Sequence, residues 1–166
     1  MKKGYKKSVH EFRAYWKNYV FQSLIATLVI FLILLSLSFQ EDAVIIASLG
    51  ATTFIVFAMP NQVTAKPRNI IGGYIVGFLC GFICSLIPIP GVMNEPFGHS
   101  LIYAIAVGLS IFIMVVIDTE HPPSSGVALG VAIKGFSLNV TISIIASIVV
   151  LTITHNFFKK YLRDLT

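Results

Sequence analysis

Five long apolar runs occupy most of this 166-residue chain, and they constrain its fold more than any motif does. The runs cover residues 19–39, 43–59, 70–89, 100–117 and 138–157. A helix needs roughly 20 apolar residues to cross a hydrocarbon layer about 30 Å thick, which is close to the length of these runs. An extended strand facing lipid would leave its backbone N–H and C=O groups unpaired, so the runs predict helices.

The composition of the chain also indicates an integral membrane protein. Hydrophobic residues make up 56% of the sequence and charged residues 11%, whereas a soluble domain carries about 25% charged residues. The length allows about six crossings, and the lipid bilayer is the predicted partner. A net charge of +5 could indicate nucleic acid. However, the basic residues flank the apolar runs, so we interpret them as orientation signals and predict no nucleic-acid partner.

Three regions are predicted along the chain. Residues 1–18 form a basic segment. Within it and just after it, Phe12, Tyr15, Trp16 and Tyr19 recur at helical spacing, as in a helix at the level of the lipid headgroups. A simple helical extension of the first span is equally compatible with this pattern. Residues 19–158 form a single transmembrane domain, and residues 159–166 form a basic tail. The first run is longer than the apolar part of a signal peptide and lacks a clear cleavage site, which indicates a retained anchor.

The distribution of Lys and Arg predicts the orientation in the membrane. Lys-rich residues 1–18 and the Lys66-Pro67-Arg68 loop are expected on the cytoplasmic side of the cell (inner) membrane, and the Gln40-Glu41-Asp42 turn outside. Residues 88–99 contain no Lys or Arg and are expected outside. Lys159 and its basic neighbours then place the C-terminus in the cytoplasm.

Two of the apolar segments are too short to cross alone. Residues 123–133 would form a helix about 16 Å long, roughly half the bilayer, and an extended stretch over 134–137 would complete that crossing. The run 43–59 is also short and contains Ser48, Thr52 and Thr53. Short or interrupted segments at corresponding positions of two halves are typical of transporters. We therefore predict an all-α membrane protein with about six transmembrane segments as 3+3 inverted repeats, with short or broken second and fifth helices.

The residues that open the fifth helix are candidates for a binding site. Pro122 and Pro123 suit the start of a helix, because proline lacks an N–H group and the first N–H groups of a helix have no partner within it. Ser124 and Ser125 then place hydroxyl groups and backbone N–H groups at the positive end of the helix dipole, which favours an anion. The same serines could instead cap the helix and pack against its neighbours. Helix length places Lys134 near mid-membrane, where a charge usually faces a partner or a water-filled path, although its long stem could also reach the outer surface.

The inner end of the fourth helix carries the other ionisable candidates. His121 could donate a hydrogen bond to an anion, shuttle a proton, or hold the turn before the prolines. Asp118 and Glu120 could pair with Lys66 and Arg68 as an inner gate, or accept a coupled proton. Lys66 and Arg68 also serve as topology markers. Residues 118, 120 and 121 have the atom types of metal ligands, but near neighbours in sequence converge poorly on one ion, so no metal site is predicted.

Other chemistries find little support in the sequence. Cys80 and Cys84 lie inside an apolar run with too few neighbouring ligands for a metal, and they are interpreted as packing residues. No nucleophile, base and orienting group can be brought together, so neither an enzyme nor a cofactor is predicted.

Three motifs in order resemble those of the HPP family of small integral membrane proteins. The signature that names the family is here His121-Pro122-Pro123, preceded by Gly50-Ala51 in the short second helix and by Pro67-Arg68-Asn69 leading to Gly72-Gly73. The resemblance covers nearly the whole chain after its basic N-terminus. It implies a helical membrane protein, and some members in chloroplasts and cyanobacteria are regarded as nitrite transporters.

The chain departs from the family pattern at two places. Ser124-Ser125-Gly126 stands where the family often has a Gly-Gly-Ala type of run, and Tyr74 stands where it often has histidine. These differences bear on the solute rather than on membership. The agreement between the resemblance and the polar helix start supports transport more than it supports nitrite.

The function predicted from the sequence is a membrane transporter or channel for a small inorganic anion, with nitrite as the first candidate. The predicted binding site near the midplane places residues of the second helix opposite the start of the fifth, namely Ser48, Thr52, Thr53, His121, Pro122, Pro123, Ser124, Ser125 and Lys134. Asp118, Glu120, Lys66 and Arg68 are predicted to gate it or relay protons. Alternatives are a membrane sensor or scaffold, a transporter of a cation or neutral solute, and an intramembrane enzyme using His121 and Asp118. Small helix-packing residues would also allow a homo-oligomer.

Overall fold

The structure, a computed structural model, describes residues 2–36, 43–88 and 96–165, and its regular secondary structure there consists of helices alone. The helices are α1 (Lys2–Ser36), α2 (Ala43–Ala58), α3 (Pro67–Ser85), α4 (Pro96–Val116), α5 (Pro123–Lys134) and α6 (Leu138–Phe158), with a short 3-10 helix at Val63–Ala65. The predicted all-α class is confirmed. The predicted Gln40-Glu41-Asp42 turn and most of the 88–99 loop lie outside the described residues.

Four of these helices have the length and apolar composition needed to cross a membrane. They are Glu11–Leu35 within α1, Pro67–Ser85, Phe97–Val116 within α4, and Leu138–Phe158. Large apolar side chains point outward on them, as at Leu35 and Phe112. Contact with lipid accounts for such a surface, which would be very unfavourable in water. The chain is therefore an integral membrane protein with several apolar helices.

The basic N-terminal segment continues into the first span as one helix. α1 runs over 35 residues, and its backbone leaves helical geometry only at Tyr15, where φ is −124° and ψ is 20°. Residues 2–18 are therefore a helical extension of the first span with a bend at Tyr15, and their location at the level of the lipid headgroups stays a prediction. The guanidinium of Arg163 lies 3.6 Å from the centre of the Tyr15 ring, a cation–π contact at the bend.

The second and fifth helices are short, as the sequence predicts. α2 has 16 residues, and α5 has 12, which corresponds to about 18 Å of helix. Pro123 opens α5, and Gly135 ends it with a φ of 76°, a left-handed conformation that a side chain would strain. Residues 135–137 are not helical before α6 begins at Leu138. The predicted non-helical stretch of 134–137 is thus correct except at Lys134, which remains in the helix.

Glycines bring α5 unusually close to α3. A side chain at Gly77 would collide with the backbone carbonyl of Ser124, and one at Gly81 would lie 2.5 Å from the carbonyl oxygen of Ala128. Since later residues of α3 meet later residues of α5, the two helices run parallel. Glycine at such spacing lets helix backbones approach and gain packing contacts that lipid cannot supply.

α5 packs against α2 in the opposite direction. Gly126 lies against the side chain of Ser48, whereas Gly130, one turn later on α5, lies against the earlier residue Ile45. The remaining packed helix pairs are α3–α4, α4–α5, α1–α2, α3–α6, α2–α6 and α1–α6. The main buried cluster lies where α2, α3, α5 and α6 meet, around Leu49 and Val127.

The segment after α6 returns to the first span in α1 and to the C-terminal end of α2. Gln22, which is buried inside the first span, accepts a hydrogen bond from the backbone N–H of Arg163 at 3.0 Å and donates to its carbonyl oxygen at 2.9 Å. The same amide also donates to the carbonyl of Phe57. A further hydrogen bond joins this segment to α2: the N–H of Leu165 donates to the carbonyl of Ala58 at 2.8 Å. Residues 162–165 thus tie α1, α2 and α6 together at one end.

Candidate functional site

A buried polar chain lies at the start of α5. The Thr52 side-chain oxygen on α2 lies 2.7 Å from the hydroxyl of Tyr74 on α3 and 3.0 Å from Nε2 of His121, which precedes the prolines. Nδ1 of His121 lies 2.8 Å from the carbonyl oxygen of Thr64 in the α2–α3 connection. Tyr74, Thr52 and His121 are all excluded from solvent. The chain therefore links α2, α3, the α4–α5 turn and the α2–α3 connection.

The acceptor opposite Nδ1 fixes the direction of these hydrogen bonds. A carbonyl oxygen can only accept, so Nδ1 of His121 carries the proton and donates to Thr64. In a neutral imidazole Nε2 is then an acceptor, and the Thr52 hydroxyl donates to it. Tyr74 must in turn donate to Thr52, since a hydroxyl has only one hydrogen. The neutral chain runs from Tyr74 through Thr52 and His121 to Thr64.

Burial keeps His121 uncharged at neutral pH. Loss of solvation lowers the pKa of this histidine to about 4, and the hydrogen bond to the Thr64 carbonyl opposes part of that shift. His121 lies in the turn between α4 and α5 rather than in a spanning helix. In this arrangement it therefore acts as a neutral donor and acceptor.

Two hydroxyls beside this chain have no hydrogen-bond partner among the described residues. These are Oγ of Ser124, which is fully buried at the start of α5, and Oγ1 of Thr119 in the preceding turn. A side chain at Gly73 would lie 2.7 Å from Cβ of His121 and 2.9 Å from Oγ of Ser124, so these two residues are close neighbours against α3. A buried hydroxyl without a partner is costly, and each such group calls for an explanation such as a ligand or a water.

The backbone of the first turn of α5 differs from the sequence-based prediction. The N–H of Ser124 donates to the carbonyl of His121 at 2.9 Å, and the N–H of Ser125 donates to that of Pro122 at 3.2 Å. The Ser125 hydroxyl also donates to the Pro122 carbonyl, at 2.6 Å. The expectation that these backbone groups are available to an anion is therefore wrong, because the His-Pro-Pro turn already pairs them. The Ser124 hydroxyl and the field of the helix dipole remain.

Ser48 and Pro123 join this site, but Thr53 does not. Ser48 packs against Gly126 of α5, and its hydroxyl donates to the carbonyl of Val44 at 2.9 Å. Thr53 points away from α5 and, with its hydroxyl bonded to Leu49 at 2.8 Å, lines a mostly apolar cavity of about 300 Å³ between α1, α2 and Leu165. Thr52 and Thr53 are adjacent in sequence and therefore lie about 100° apart around α2.

Lys134 lies at the other end of α5 from Ser124. It is the last residue of the helix and is exposed, roughly 15 Å along the helix axis from Ser124. The structure therefore does not bring Lys134 together with Ser124 and His121, because the length of α5 separates them. A role for Lys134 in binding stays a prediction.

The residues predicted to gate the site include one ion pair, which involves the turn that carries His121. Arg68, on the first turn of α3, lies 3.1 Å from the Asp118 carboxylate and also donates to the carbonyl of Ile117 at 3.2 Å. Both side chains of the pair are largely exposed, so the attraction itself contributes little stability. Glu120 is exposed, and its carbonyl accepts a hydrogen bond from Asn69 at 3.2 Å, whereas Lys66 is exposed before α3. A gating role for these residues stays a prediction.

The connection between α2 and α3 is held by two buried histidines. His121 bonds to Thr64, and Nε2 of His155 on α6 lies 3.0 Å from the carbonyl oxygen of Pro60. Thr64 lies within the 3-10 helix at Val63–Ala65 and Pro60 lies just before it, so these bonds anchor a connection with little regular structure of its own. Among the described residues, no group of three or more His, Cys, Asp or Glu side chains is placed to hold a metal ion.

Tyr74, Thr64 and Thr119 are members of the site that sequence reasoning did not identify. Tyr74 lies between Gly73 and Gly77, and two signals were available for it: its polar group in a glycine-rich apolar run, and its place where the family often has histidine. Nothing in the sequence distinguishes Thr64 or Thr119 from the other threonines, because their roles depend on how the helices pack.

Comparison with known proteins identifies one related family. A family model described as "HPP, transmembrane region" matches residues 11–162 of this chain. No curated protein matches the chain, and no solved structure matches it.

Proposed function

The chain belongs to the HPP family of integral membrane proteins, and on that premise we propose that it transports a small inorganic anion, with nitrite as the first candidate. The family and the apolar helices support a membrane transporter or a similar role. The proposed solute site is the buried polar cluster at the start of α5. Its members are Ser48, Thr52, Tyr74, Thr119, His121 and Ser124.

The unpartnered Ser124 hydroxyl is the observation that carries this proposal. It is fully buried beside His121, at the positive end of the α5 dipole, and it has a hydrogen to donate. An anion bound there would accept that hydrogen and a second one from Thr119, whose hydroxyl also lacks a partner in the described chain. Charge-assisted hydrogen bonds of this kind are about twice as strong as neutral ones.

The helix packing supports an inverted repeat of α1–α3 and α4–α6. In such a repeat, α1 corresponds to α4, α2 to α5 and α3 to α6. When each helix is replaced by its counterpart, every packed pair again gives a packed pair: α3–α5 becomes α2–α6, α3–α4 becomes α1–α6, and α4–α5 becomes α1–α2. The pairs α2–α5 and α3–α6 map onto themselves. Each half has three helices, so the halves would cross the membrane in opposite directions, with the short helices α2 and α5 antiparallel at the centre.

The described conformation is closed around the site. Thr52, His121 and Ser124 are buried, the Arg68–Asp118 pair lies beside them, and residues 162–165 fasten α1 to α2. A solute would therefore enter through movement of one half against the other, as in alternating-access carriers. We place the termini and this ion pair on the cytoplasmic side of the cell inner membrane, in line with the basic flanks.

A flux measurement with several anions tests this function. We expect purified protein in proteoliposomes to take up nitrite in a saturable manner, above protein-free vesicles, and to take up chloride more slowly. Nitrate and formate measure how far the site discriminates by shape. Saturable uptake of an alkali cation or a neutral solute with none for any anion would contradict the proposal, as would folded, inserted protein that moves no solute.

A further inference from the structure

The hydroxyl of Thr52 has two acceptors at equal distance. It lies 3.0 Å from Nε2 of His121 and also 3.0 Å from the carbonyl oxygen of Ser48, one turn back on α2. A hydroxyl has one hydrogen, so it donates to only one of them at a time. In the neutral state described above, it donates to His121.

The alternative acceptor allows His121 to take up a proton without losing a hydrogen bond. When Nε2 gains a proton from water, it becomes a donor to the Thr52 oxygen, and the Thr52 hydrogen rotates to the Ser48 carbonyl. Tyr74 continues to donate to Thr52 at 2.7 Å, and Nδ1 continues to donate to Thr64 at 2.8 Å. Only one hydrogen has to move, so both charge states of the imidazole are fully bonded in the same arrangement of heavy atoms.

The site proposed for the anion lies next to this imidazole. Cβ of His121 and Oγ of Ser124 lie 2.7 Å and 2.9 Å from the same point on α3, a side-chain carbon built at Gly73, so the two residues are neighbours. An anion bonded to Ser124 would place a negative charge close to His121 in a medium of low dielectric constant. An opposite charge at such a distance favours the protonated form of the imidazole.

We infer that His121 is the proton-binding residue of this carrier and that each anion is transported together with one proton. This inference rests on the proposed anion transport and names its coupling ion. In the described conformation, burial lowers the pKa of His121 to about 4, so the residue is neutral. Burial removes the solvation that would stabilise a protonated imidazole. The bound anion supplies a counter-charge in its place, so the added proton and the anion neutralise each other.

Few other charges face His121. Tyr74 on α3 lies with its ring 5.6 Å away, and the charged residues nearest in sequence to His121 and Thr64, namely the Arg68–Asp118 pair, Glu120 and Lys66, are all exposed. The described residues of α2 include no ionisable side chain, and the only one in α5 is Lys134 at its far end. On α6 the nearest candidate, His155, is bonded to Pro60 instead. Among the described residues of this cluster, the imidazole of His121 is therefore the group that takes up the proton.

The sign of the pH dependence follows from linkage. The anion-bound protein holds one more proton than the empty protein, so the affinity for the anion rises as pH falls, by at most about tenfold for each pH unit. The effect extends over the pH range between the pKa of His121 in the empty protein and its higher pKa in the anion-bound protein. A carrier that moved the anion alone would show no such slope.

The test compares uptake with and without an inward proton gradient. Rates for protein-free vesicles are subtracted because nitrous acid crosses lipid unaided, and nitrate, which stays ionised, is measured in parallel. We expect an acidic exterior to accelerate uptake of the transported anion by the natural protein several-fold. His121→Asn, whose amide N–H still reaches Thr64 but cannot hold the proton, should lose this acceleration. Thr52→Val should reduce it, and Thr52→Ser, which keeps the hydroxyl, should retain it.

A second readout does not depend on flux. Addition of nitrite to the detergent-solubilised protein in weakly buffered solution near pH 6 should draw protons from the solution in the natural protein and in Thr52→Ser, but not in His121→Asn. Saturable uptake that ignores the gradient would overturn the coupling and leave anion transport standing. Equal acceleration in His121→Asn would overturn the role of this histidine. Absence of saturable uptake for every anion would instead reject the proposed function.

Discussion

Replacement of Gly77 by alanine is expected to prevent α3 and α5 from packing and to destabilise the protein more than any other single methyl group added to a helix. The new Cβ would overlap the backbone carbonyl of Ser124, which cannot rotate away as a side chain could. Overpacking of a rigid site costs about 1–3 kcal/mol and occasionally more, and a backbone clash lies at the upper end. Because Ser124 belongs to the proposed solute site, transport should be lost together with stability.

Gly108→Ala is the matched control for this change. Gly108 lies in the apolar helix α4, and nothing in the described structure lies within 4 Å of a Cβ built there. Alanine is the better helix former by about 0.5–1 kcal/mol, so the control should unfold at an unchanged or slightly higher temperature. Thermal unfolding in detergent should therefore show a clear decrease in Tm for Gly77→Ala only. Equal melting temperatures for the two variants would show that α3 and α5 are not in close contact.

Replacement of His121 by phenylalanine is expected to have the second large effect. The phenyl ring is planar like the imidazole but lacks both nitrogens, so the carbonyl of Thr64 loses its donor, and the buried Thr52 hydroxyl keeps only the Ser48 carbonyl as acceptor. An unpaired buried polar group costs about 1–3 kcal/mol. The α2–α3 connection should loosen, and the melting temperature should decrease by several degrees.

His121→Asn separates the structural part of this role from the chemical part. Its side-chain amide can replace Nδ1 as donor to Thr64, so this variant should recover most of the stability that His121→Phe loses. Hydrogen exchange at residues 60–66 provides the local measurement, with faster exchange expected in His121→Phe than in His121→Asn. If both variants exchange and melt as the natural protein does, the bond to Thr64 does not hold the connection.

The sequence predicts the helices well because lipid leaves the backbone few choices. Apolar runs of membrane length must be helical, and the positions of Pro122, Pro123 and Gly135 determine where α5 begins and ends. Helix length alone identified α5 as too short to cross. The same reasoning pointed to Ser124 and His121, since an interrupted apolar run brings polar groups to membrane depth.

Partners within the site could not be predicted because they depend on tertiary packing. Thr52 and Thr53 are equally polar neighbours, and only the angle of α2 against α5 shows that Thr52 meets His121 while Thr53 faces the cavity beside α1. Tyr74 and Thr64 enter the site because glycines allow α3 to lie directly against α5. The prediction of free N–H groups at the start of α5 failed for a local reason, because the carbonyls of His121 and Pro122 in the same turn accept hydrogen bonds from them.

The most direct test of the central claim compares nitrite uptake by Ser124→Ala with that by Ser147→Ala. Both serines are fully buried, but Ser147 lies on α6 and its hydroxyl is already bonded to the carbonyl of Ser143 at 2.7 Å, whereas Ser124 has no partner among the described residues. Loss of one hydrogen bond to a charged solute costs about 1.5–3 kcal/mol, so initial rates below saturation should decrease about tenfold or more in Ser124→Ala. Ser147→Ala should transport at nearly the natural rate. Equal rates for the two variants, with equal amounts of folded protein in the vesicles, would show that the solute does not bind at the start of α5.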